Sequence, residues 1–373
     1  MDDADAFVHG ATRSFARDLP CPTPPPQITW VERAVAAGVL APVTFAVQTA
    51  GHPVPPPLTR LRSGAAARDM RTVADLVRLG SALDGADIEW AALKGLVLRS
   101  LVFEKKQVRD AADLDVLVSP TRVGEAVAVL GLAGASVVPE DWDYAVRHRT
   151  AELSMRLPHG TVLDLHWSLV NHAALRDRTH LAADVLLGRR RLVRVEGASV
   201  ATLDELDFAL HVMLHACLSG CSELRWLLDV QQVLRAADFA PDQLRGRAQE
   251  WGVVPHVRAV LEATSRWLDP AVGPWAAAMG PRTAWVRLLD RLGRRRPPSA
   301  PSASVHSVRN WYRATRDTGP ATAGAVAHML AEGVRYRLRG IDLPVSDPVP
   351  DDAGLARWVV AAEREDARRT QSR

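Results

Sequence analysis

Two short stretches, Ala112-Asp-Leu-Asp-Val-Leu-Val118 and Val162-Leu-Asp-Leu-His-Trp167, decide the fold of this chain. Both are apolar runs interrupted by acids, which is the pattern of a buried strand that carries a few polar side chains. Side chains alternate between the two faces of a strand, so Asp113 and Asp115 share one face. Asp164 lies inside the second run. We therefore predict that three carboxylates lie on strands of one α/β core.

Carboxylates on strands this apolar need a partner. An unpaired buried carboxylate is costly, so such groups coordinate a metal or belong to a hydrogen-bond network. Two acids on one strand and a third on another strand can bind a pair of Mg²⁺ ions for in-line phosphoryl transfer. In this interpretation Asp113 and Asp115 bridge both metals, while Asp164 holds the metal at the attacking hydroxyl and is a candidate for its base. In the alternative interpretation the first two acids only cap the strand or form salt bridges with arginines.

The chain resembles a known family in three segments: Ala92-Leu-Lys-Gly95, then Arg109 with Asp113-Leu-Asp-Val-Leu-Val118, then Leu163-Asp-Leu-His-Trp167. This is the bacterial uncharacterised nucleotidyltransferase family, part of the DNA polymerase β-like nucleotidyltransferase superfamily. The resemblance runs from about Trp30 to Leu234 and includes His211, His215 and the segment Leu224-Arg-Trp-Leu-Leu-Asp229.

The resemblance implies a fold and a reaction. The expected fold is an α/β (α+β) core with a mixed, mainly antiparallel sheet, preceded by helices and followed by a larger helical region. The expected activity is Mg²⁺- or Mn²⁺-dependent transfer of a nucleoside monophosphate from an NTP such as ATP to an acceptor hydroxyl, with release of pyrophosphate. The expected acceptor is a small molecule, a natural-product peptide or a protein. A toxin-like enzyme acting on tRNA and a catalytically silent nucleotide-binding regulatory protein stay open as alternatives.

The resemblance also implies nucleotide-binding residues beside the three acids. Superfamily members commonly carry a Gly-Ser pair on a turn whose amides hold the phosphates, and Lys94-Gly95 occupies that place here. Gly95 permits a close backbone approach, and Lys94 adds a positive charge for the triphosphate. Arg109 is the other expected phosphate contact, because a guanidinium can grip two oxygens at once. His166, which shares a face with Asp164, and Arg225 complete the expected nucleotide contacts.

Composition narrows the choice of partners. The chain has 373 residues and a net charge of only +3, which does not favour nucleic acid as a partner. Its three cysteines form no paired framework, and no apolar run reaches the roughly 18 residues of a membrane span. Because the start Met-Asp-Asp-Ala-Asp is acidic and lacks an apolar stretch, we do not expect it to be a signal peptide. We therefore expect a soluble, cytoplasmic protein that uses no membrane.

Breaks in the pattern predict the domain organisation. The expected segments are a flexible Pro-rich lead-in (1–27), a helical lead-in packed on the core (28–84), the catalytic core (85–200), a helical domain (201–293), a basic Pro/Ser linker (294–304), and a C-terminal helical extension with its tail (305–373).

Helix periodicity adds several local predictions. One helix is expected from Thr29 to Gln48, and another over 65–83 with Asp75 on its solvent side. The apolar face of the second helix is expected to carry Met70, Val73, Leu76, Val77 and Gly80.

Side-chain spacing gives three more predictions. Thr202 is expected to be the N-cap of the first helix of the helical domain. Arg225 and Asp229 have the spacing of a surface ion pair on one helix. His211 and His215 have the i, i+4 spacing of a zinc site, although packing of the helical domain is the favoured explanation.

Overall fold

The strands of this protein join in one mixed sheet. The structure is a computed structural model, and it describes residues 2–103, 109, 113–294, 298, 305–316, 318–338 and 351–371. The strands are β1 (Trp90–Ala92), β2 (Asp113–Val118), β3 (Ser136–Val137), β4 (Glu152–Arg156), β5 (Val162–His166), β6 (Arg191–Val195) and β7 (Ala198–Thr202). Their order in the sheet is β3-β4-β5-β2-β1-β7-β6. The pairs β1–β7 and β2–β5 are parallel, and the other pairs are antiparallel. The predicted mixed, mainly antiparallel sheet is confirmed.

Helices account for most of the remaining described residues. They are α1 (Asp3–Arg17), α2 (Thr29–Ala36), α3 (Leu40–Thr49), α4 (Pro56–Gly85), α5 (Leu96–Val102), α6 (Val123–Leu132), α7 (Trp142–His148), α8 (Ala173–Arg176), α9 (Ala183–Gly188), α10 (Glu205–Leu218), α11 (Leu224–Arg235), α12 (Pro241–Trp251), α13 (Val254–Trp267), α14 (Gly273–Ala278), α15 (Ala284–Arg294), α16 (Val305–Arg313), α17 (Gly319–Leu338) and α18 (Asp352–Gln371). Within the described ranges, none of these helices combines the length and apolar character needed to cross a membrane. The expected helices before and after the sheet are confirmed.

The chain divides into two compact units, each built from separate segments. The helical unit comprises residues 1–65, 101–110 and 209–340. The sheet unit comprises residues 66–100, 111–208 and 341–373, and it contains every strand named above. The predicted linker at 294–304 lies almost wholly outside the described residues.

In the sheet unit, the face that α4 buries is rotated from the one expected, so that Leu76 and Gly80 are the fully buried members of the predicted set. Met70 is 75% exposed and Val77 is 45% exposed, whereas Leu79 and Leu83 are buried together with the correctly predicted Leu76. The cause is Asp75, which is buried although it was expected on the solvent side. Helix periodicity treats every acid as a surface residue. A buried, hydrogen-bonded acid therefore shifts the predicted apolar face around the helix.

Asp75 holds the turn between β4 and β5. Its carboxylate accepts hydrogen bonds from the backbone N–H groups of His159 (3.1 Å) and Thr161 (3.3 Å) and contacts the His159 ring nitrogen Nδ1 (2.8 Å). Burial raises the pKa of Asp75, but the hydrogen bonds from Thr161 and His159 outweigh it and leave that pKa below its usual value. The hairpin turn at Pro158, His159 and Gly160 is thereby anchored to α4.

The predicted N-cap at Thr202 is wrong. Thr202 ends β7, and its hydroxyl donates to the Ala92 carbonyl at 2.6 Å. Helix α10 begins at Glu205, and the Asp204 carboxylate accepts the Asp207 backbone N–H at 2.8 Å. Thr202 continues the sheet instead of capping the helix, because β-branched residues suit strands. The β6–β7 hairpin was not predicted.

At the N-terminal end of the helical unit, the predicted flexible lead-in is wrong for residues 3–17. Asp2 caps α1 by accepting the Asp5 backbone N–H at 2.8 Å, and acids in the first turn complement the helix dipole. Phe7, Val8 and Ala11 are buried, with the Phe7 ring edge-on to Trp30 at 5.2 Å. The single helix expected from Thr29 to Gln48 is two helices, because Gly38 adopts a left-handed backbone (φ +66°) between them.

Helix α18 is part of the sheet unit, although residues 209–340 of the helical unit separate it in the chain from the other segments of the sheet unit. It packs against α6 and α7. Trp358 is 2% exposed, and its indole N–H donates to the Thr150 carbonyl (3.2 Å) and hydroxyl (3.0 Å). Glu365 is buried against the guanidiniums of Arg149 and Arg176. These contacts make α18 a structural component of the sheet unit.

We expect Trp358→Ala to destabilise the protein by about 3–5 kcal/mol, because it removes a fully buried aromatic ring and its hydrogen bonds. Val360→Ala on the same helix is the matched control, since Val360 is 42% exposed and the change should cost less than about 0.5 kcal/mol. Chemical denaturation followed by circular dichroism measures both. Equal, small effects of the two substitutions would show that α18 does not support the sheet unit.

Two buried histidines of the helical unit make its stability depend on pH. Burial lowers the pKa of His256 to about 3 and the pKa of His9 to about 4, and in each case a nearby arginine, Arg316 or Arg13, acts in the same direction. In the unfolded chain both groups titrate near pH 6.5. At a pH between the folded and the unfolded pKa of each histidine, the unfolded state binds more protons than the folded state. Lowering the pH therefore favours unfolding.

Stability should therefore fall as the pH drops below about 6.5, by about 1.4 kcal/mol per pH unit for each histidine. His256→Leu should flatten this slope by about one proton, whereas the exposed His328→Asn should leave it unchanged. Urea denaturation at a series of pH values between about 4 and 7 tests this. An unaltered slope in His256→Leu would contradict the assignment.

Candidate active site

The site is built on the parallel pairing of β2 with β5. In this register Asp115 lies directly opposite Asp164, and Asp113 lies opposite Val162. Residues paired in register on adjacent strands project from the same face of the sheet. Asp113, Asp115 and Asp164 therefore share one face, as the strand pattern predicted for the first two. Asp113 is exposed at the start of β2, and Asp115 is only 6% exposed.

Asp115 is neutralised by two cationic partners. The Lys94 ammonium lies 2.9 Å from Asp115 Oδ1, and the His166 ring nitrogen Nε2 lies 3.1 Å from the same oxygen. Burial raises the pKa of Asp115, but the charge of Lys94 and the hydrogen bond from His166 outweigh it, so the pKa lies well below its usual value. Asp115 is therefore an ionised carboxylate at neutral pH despite its burial.

His166 links Asp115 to the neighbouring strand. It is paired in register with Glu152 of β4, and its Nδ1 lies 3.6 Å from the Glu152 carboxylate. Burial lowers the pKa of His166, but the hydrogen bond and the charge of Asp115 outweigh it and raise that pKa overall. The ring is thus held between two carboxylates and carries its charge more readily than a free histidine.

Asp164 is positioned by a serine. Ser154 of β4 is its partner in register, and the Ser154 hydroxyl donates to Asp164 Oδ1 at 2.7 Å. Glu140, in the segment between β3 and α7, adds another acid here. Burial raises the pKa of Glu140, and the nearby carboxylates of Glu152 and Asp164 act in the same direction against a hydrogen bond from the Ser154 backbone. This side of the site is acidic.

Lys94 and Gly95 form the turn that joins β1 to α5. The Leu93 backbone N–H donates to the Asp115 carbonyl at 3.0 Å, which brings the end of β1 beside the acid. Gly95 has a left-handed backbone (φ +59°), a conformation that residues with a Cβ adopt at a cost. The glycine turn directs the chain into α5 and leaves the Lys94 side chain on Asp115.

The donor set fits a divalent cation in kind. Mg²⁺ prefers carboxylate oxygens, and proteins usually supply one or two of them while water and substrate phosphates supply the rest. Asp115 and Asp164, opposite each other, provide such a pair, and Asp113 lies further along the same face. Over the residues that the structure describes, no group of three or more His, Cys, Asp or Glu side chains is placed to hold a metal ion by itself. The same observation gives no support to a zinc site at His211 and His215.

Arg109 and Arg225 belong to the helical unit. Arg109 forms a bidentate pair with the buried Asp229, at 2.8 Å from Nε and 2.9 Å from Nη2. The Arg225 guanidinium lies 3.9 Å from the Trp226 ring centroid and pairs with Glu223 at 2.7 Å. The expected surface pair between Arg225 and Asp229 is therefore wrong, because each has another partner. The role of both arginines in nucleotide binding stays a prediction.

The comparisons with known proteins identify the family. Residues 29–269 match the model of the family described as uncharacterised nucleotidyltransferase. The chain belongs to this family, and the resemblance stated from the sequence is confirmed. No protein of curated function matches the chain. The chain is also similar to a solved antigenic nucleotidyltransferase-like protein from Paracoccidioides brasiliensis, with 15% identity, coverage of 58% of this chain and 95% of the other, and a TM-score of 0.37.

We expect Gly95→Ala to cost about 1–2 kcal/mol of stability, because it forces a Cβ into the left-handed backbone region. Gly131→Ala is the matched control in the same unit. Gly131 lies in α6, and a Cβ added there would meet open space, so the change should be neutral or stabilise by up to about 1 kcal/mol. Urea denaturation of both variants measures the difference, and a loss in Gly131→Ala as large as that in Gly95→Ala would refute the strained-turn assignment.

Proposed function

We propose that this protein is a Mg²⁺-dependent nucleotidyltransferase that transfers a nucleoside monophosphate from an NTP to an acceptor hydroxyl and releases pyrophosphate. Membership of the family supports the transferase class. The observation that carries the proposal is the direct pairing of Asp115 with Asp164 on parallel strands, beside a lysine on a glycine turn. Paired carboxylates and a nearby cation are what phosphoryl transfer needs from a protein.

Asp113, Asp115 and Asp164 are the proposed ligands of the divalent cations. When bound, Mg²⁺ or Mn²⁺ would neutralise the charge that develops on the transferring phosphoryl group. Lys94 and Gly95 are proposed to contact the triphosphate, with Lys94 as a point charge and Gly95 through its backbone N–H, which no Cβ shields. His166 is proposed to keep Asp115 in position from the opposite side, through its own contact with Glu152.

The proposed transfer step exchanges one phosphorus–oxygen bond for another. The acceptor hydroxyl oxygen forms a bond to the α-phosphorus of the NTP, and the bond from that phosphorus to the β-phosphate oxygen breaks. Pyrophosphate leaves with the electron pair of the broken bond. The hydroxyl proton passes to a base, for which Asp164 is the candidate because Ser154 holds one of its oxygens in place.

The acceptor is proposed to be a small molecule, a natural-product peptide or a protein. A nucleic-acid acceptor is less favoured, because the chain carries a net charge of only +3. A direct search would incubate the protein with each labelled NTP, with Mg²⁺ or Mn²⁺, and with cell extract, and would follow where the label is transferred. Label on tRNA would instead support a toxin-like enzyme.

A silent nucleotide-binding protein is the second candidate. It is favoured by one observation, namely that among the described residues no group of three or more His, Cys, Asp or Glu side chains is arranged to hold a metal ion. Mg²⁺-dependent NTP binding without pyrophosphate release, over a broad panel of acceptors, would support this candidate. Pyrophosphate release that depends on an added acceptor would exclude it.

We expect Asp115→Asn and Asp164→Asn each to lower turnover at least about a thousandfold, because each removes a charge that the transition state requires. Asp184→Asn is the matched control, since it removes an exposed carboxylate from the same unit and should retain full activity. Pyrophosphate release measures turnover, and circular dichroism verifies that the fold is retained. Full activity in a folded Asp115→Asn variant would defeat the proposed function.

A further inference from the structure

We propose that Lys94 is a built-in counter-ion that occupies Asp115 until an NTP arrives, so that cation binding at Asp115 depends on nucleotide binding. This inference rests on the proposed function and concerns the regulation of the same site. It assigns Lys94 two successive positions: on the Asp115 carboxylate in the nucleotide-free protein, and on the triphosphate in the loaded protein.

Asp115 is buried together with its cationic partner. Its side chain is 5% exposed, and the Lys94 side chain is 15% exposed. A buried carboxylate without a positive partner is strongly destabilising, so the nucleotide-free protein must supply a positive charge from its own chain. The Lys94 ammonium, 2.9 Å from Oδ1, supplies that charge.

The two partners of Asp115 differ in how firmly they are held. His166 lies within β5, and its second ring nitrogen faces Glu152 at 3.6 Å, so its position is set by the sheet. Lys94 lies on a turn beside Gly95 and carries its charge on a flexible four-carbon stem. Lys94 is therefore the partner that can exchange while the strands stay in place.

A divalent cation and the Lys94 ammonium would compete for the same carboxylate. A cation bound to Asp115 would lie within a few ångströms of the ammonium and would repel it. An ammonium displaced from Asp115 is stabilised by another anion, and the phosphates of an NTP provide the strongest negative charge that the proposed reaction brings to the site. Nucleotide and cation thus favour each other's binding, and by thermodynamic linkage the enhancement is the same in both directions.

The test measures Mn²⁺ binding to the full-length protein without nucleotide, by the electron paramagnetic resonance signal of free Mn²⁺. Lys94→Met removes the charge and keeps much of the side-chain length, and Lys94→Gln is a second uncharged variant in case the first folds poorly. Lys94→Arg keeps the charge. Arg122→Met is the matched control, because it removes a surface cation that pairs with Glu125 in the same unit.

We expect Lys94→Met and Lys94→Gln to bind Mn²⁺ alone at least about tenfold more tightly than the wild type, within the usual range of coupling between sites. Lys94→Arg and Arg122→Met should bind Mn²⁺ as weakly as the wild type. Unchanged or weaker Mn²⁺ binding in both uncharged variants would overturn the inference.

A parallel measurement separates this inference from the proposed function. Binding of a non-hydrolysable NTP analogue with Mn²⁺ is measured by calorimetry for the wild type and for Asp115→Asn. Loss of Mn²⁺-dependent binding in Asp115→Asn, with no gain of Mn²⁺ affinity in the lysine variants, would reject the counter-ion role and leave the proposed function standing. Full Mn²⁺-dependent binding in Asp115→Asn would reject the metal assignment itself, and the inference with it.

Discussion

The parallel pairing of β2 with β5 is the constraint on which the sheet unit depends. It places Asp115 and Asp164 opposite each other, and like charges in that position repel. The neighbouring elements offset this repulsion: the β1 turn brings the Lys94 ammonium to one acid, and β4 brings the Ser154 hydroxyl to the other. A site that concentrates negative charge is stable here because each acid has its own partner on an adjacent segment.

The strands that carry the acids could be predicted from the sequence, because alternation of apolar and polar residues is a local signal. The register between strands could not, because a period of two residues indicates which face a side chain occupies but not which residue lies opposite. Ser154 and Glu152 were missed for this reason, although they alternate visibly with Leu153 and Met155 on β4. Glu140 had no distinguishing signal, since an acid just before a helix is the ordinary pattern of an N-terminal cap.

Two errors in the predicted helices, at Asp75 and at the expected Arg225–Asp229 pair, share one cause, which is contact between residues far apart in the chain. Spacing on one helix suggested that Asp229 pairs with Arg225, whereas its partner Arg109 is 120 positions away. Asp75 was assigned to solvent, whereas it holds the turn around His159. Local propensity also cannot decide whether a short Pro-rich terminus is ordered, and α1 is ordered because Phe7 and Ala11 find a buried face. Buried polar residues with distant partners are thus the positions where periodicity fails.

The discontinuous origin of the sheet unit has a consequence for biosynthesis. Helix α18 lies beyond the region that matches the family, yet its Trp358 and Glu365 are buried within the unit that carries the acids. During translation, the strands leave the ribosome long before this helix is synthesised. Until then, the surface of the sheet unit that α18 covers stays exposed. The helical residues 209–338 are made during that interval. Chaperone binding to the incomplete sheet, and sensitivity of such chains to proteolysis, follow from this order of synthesis.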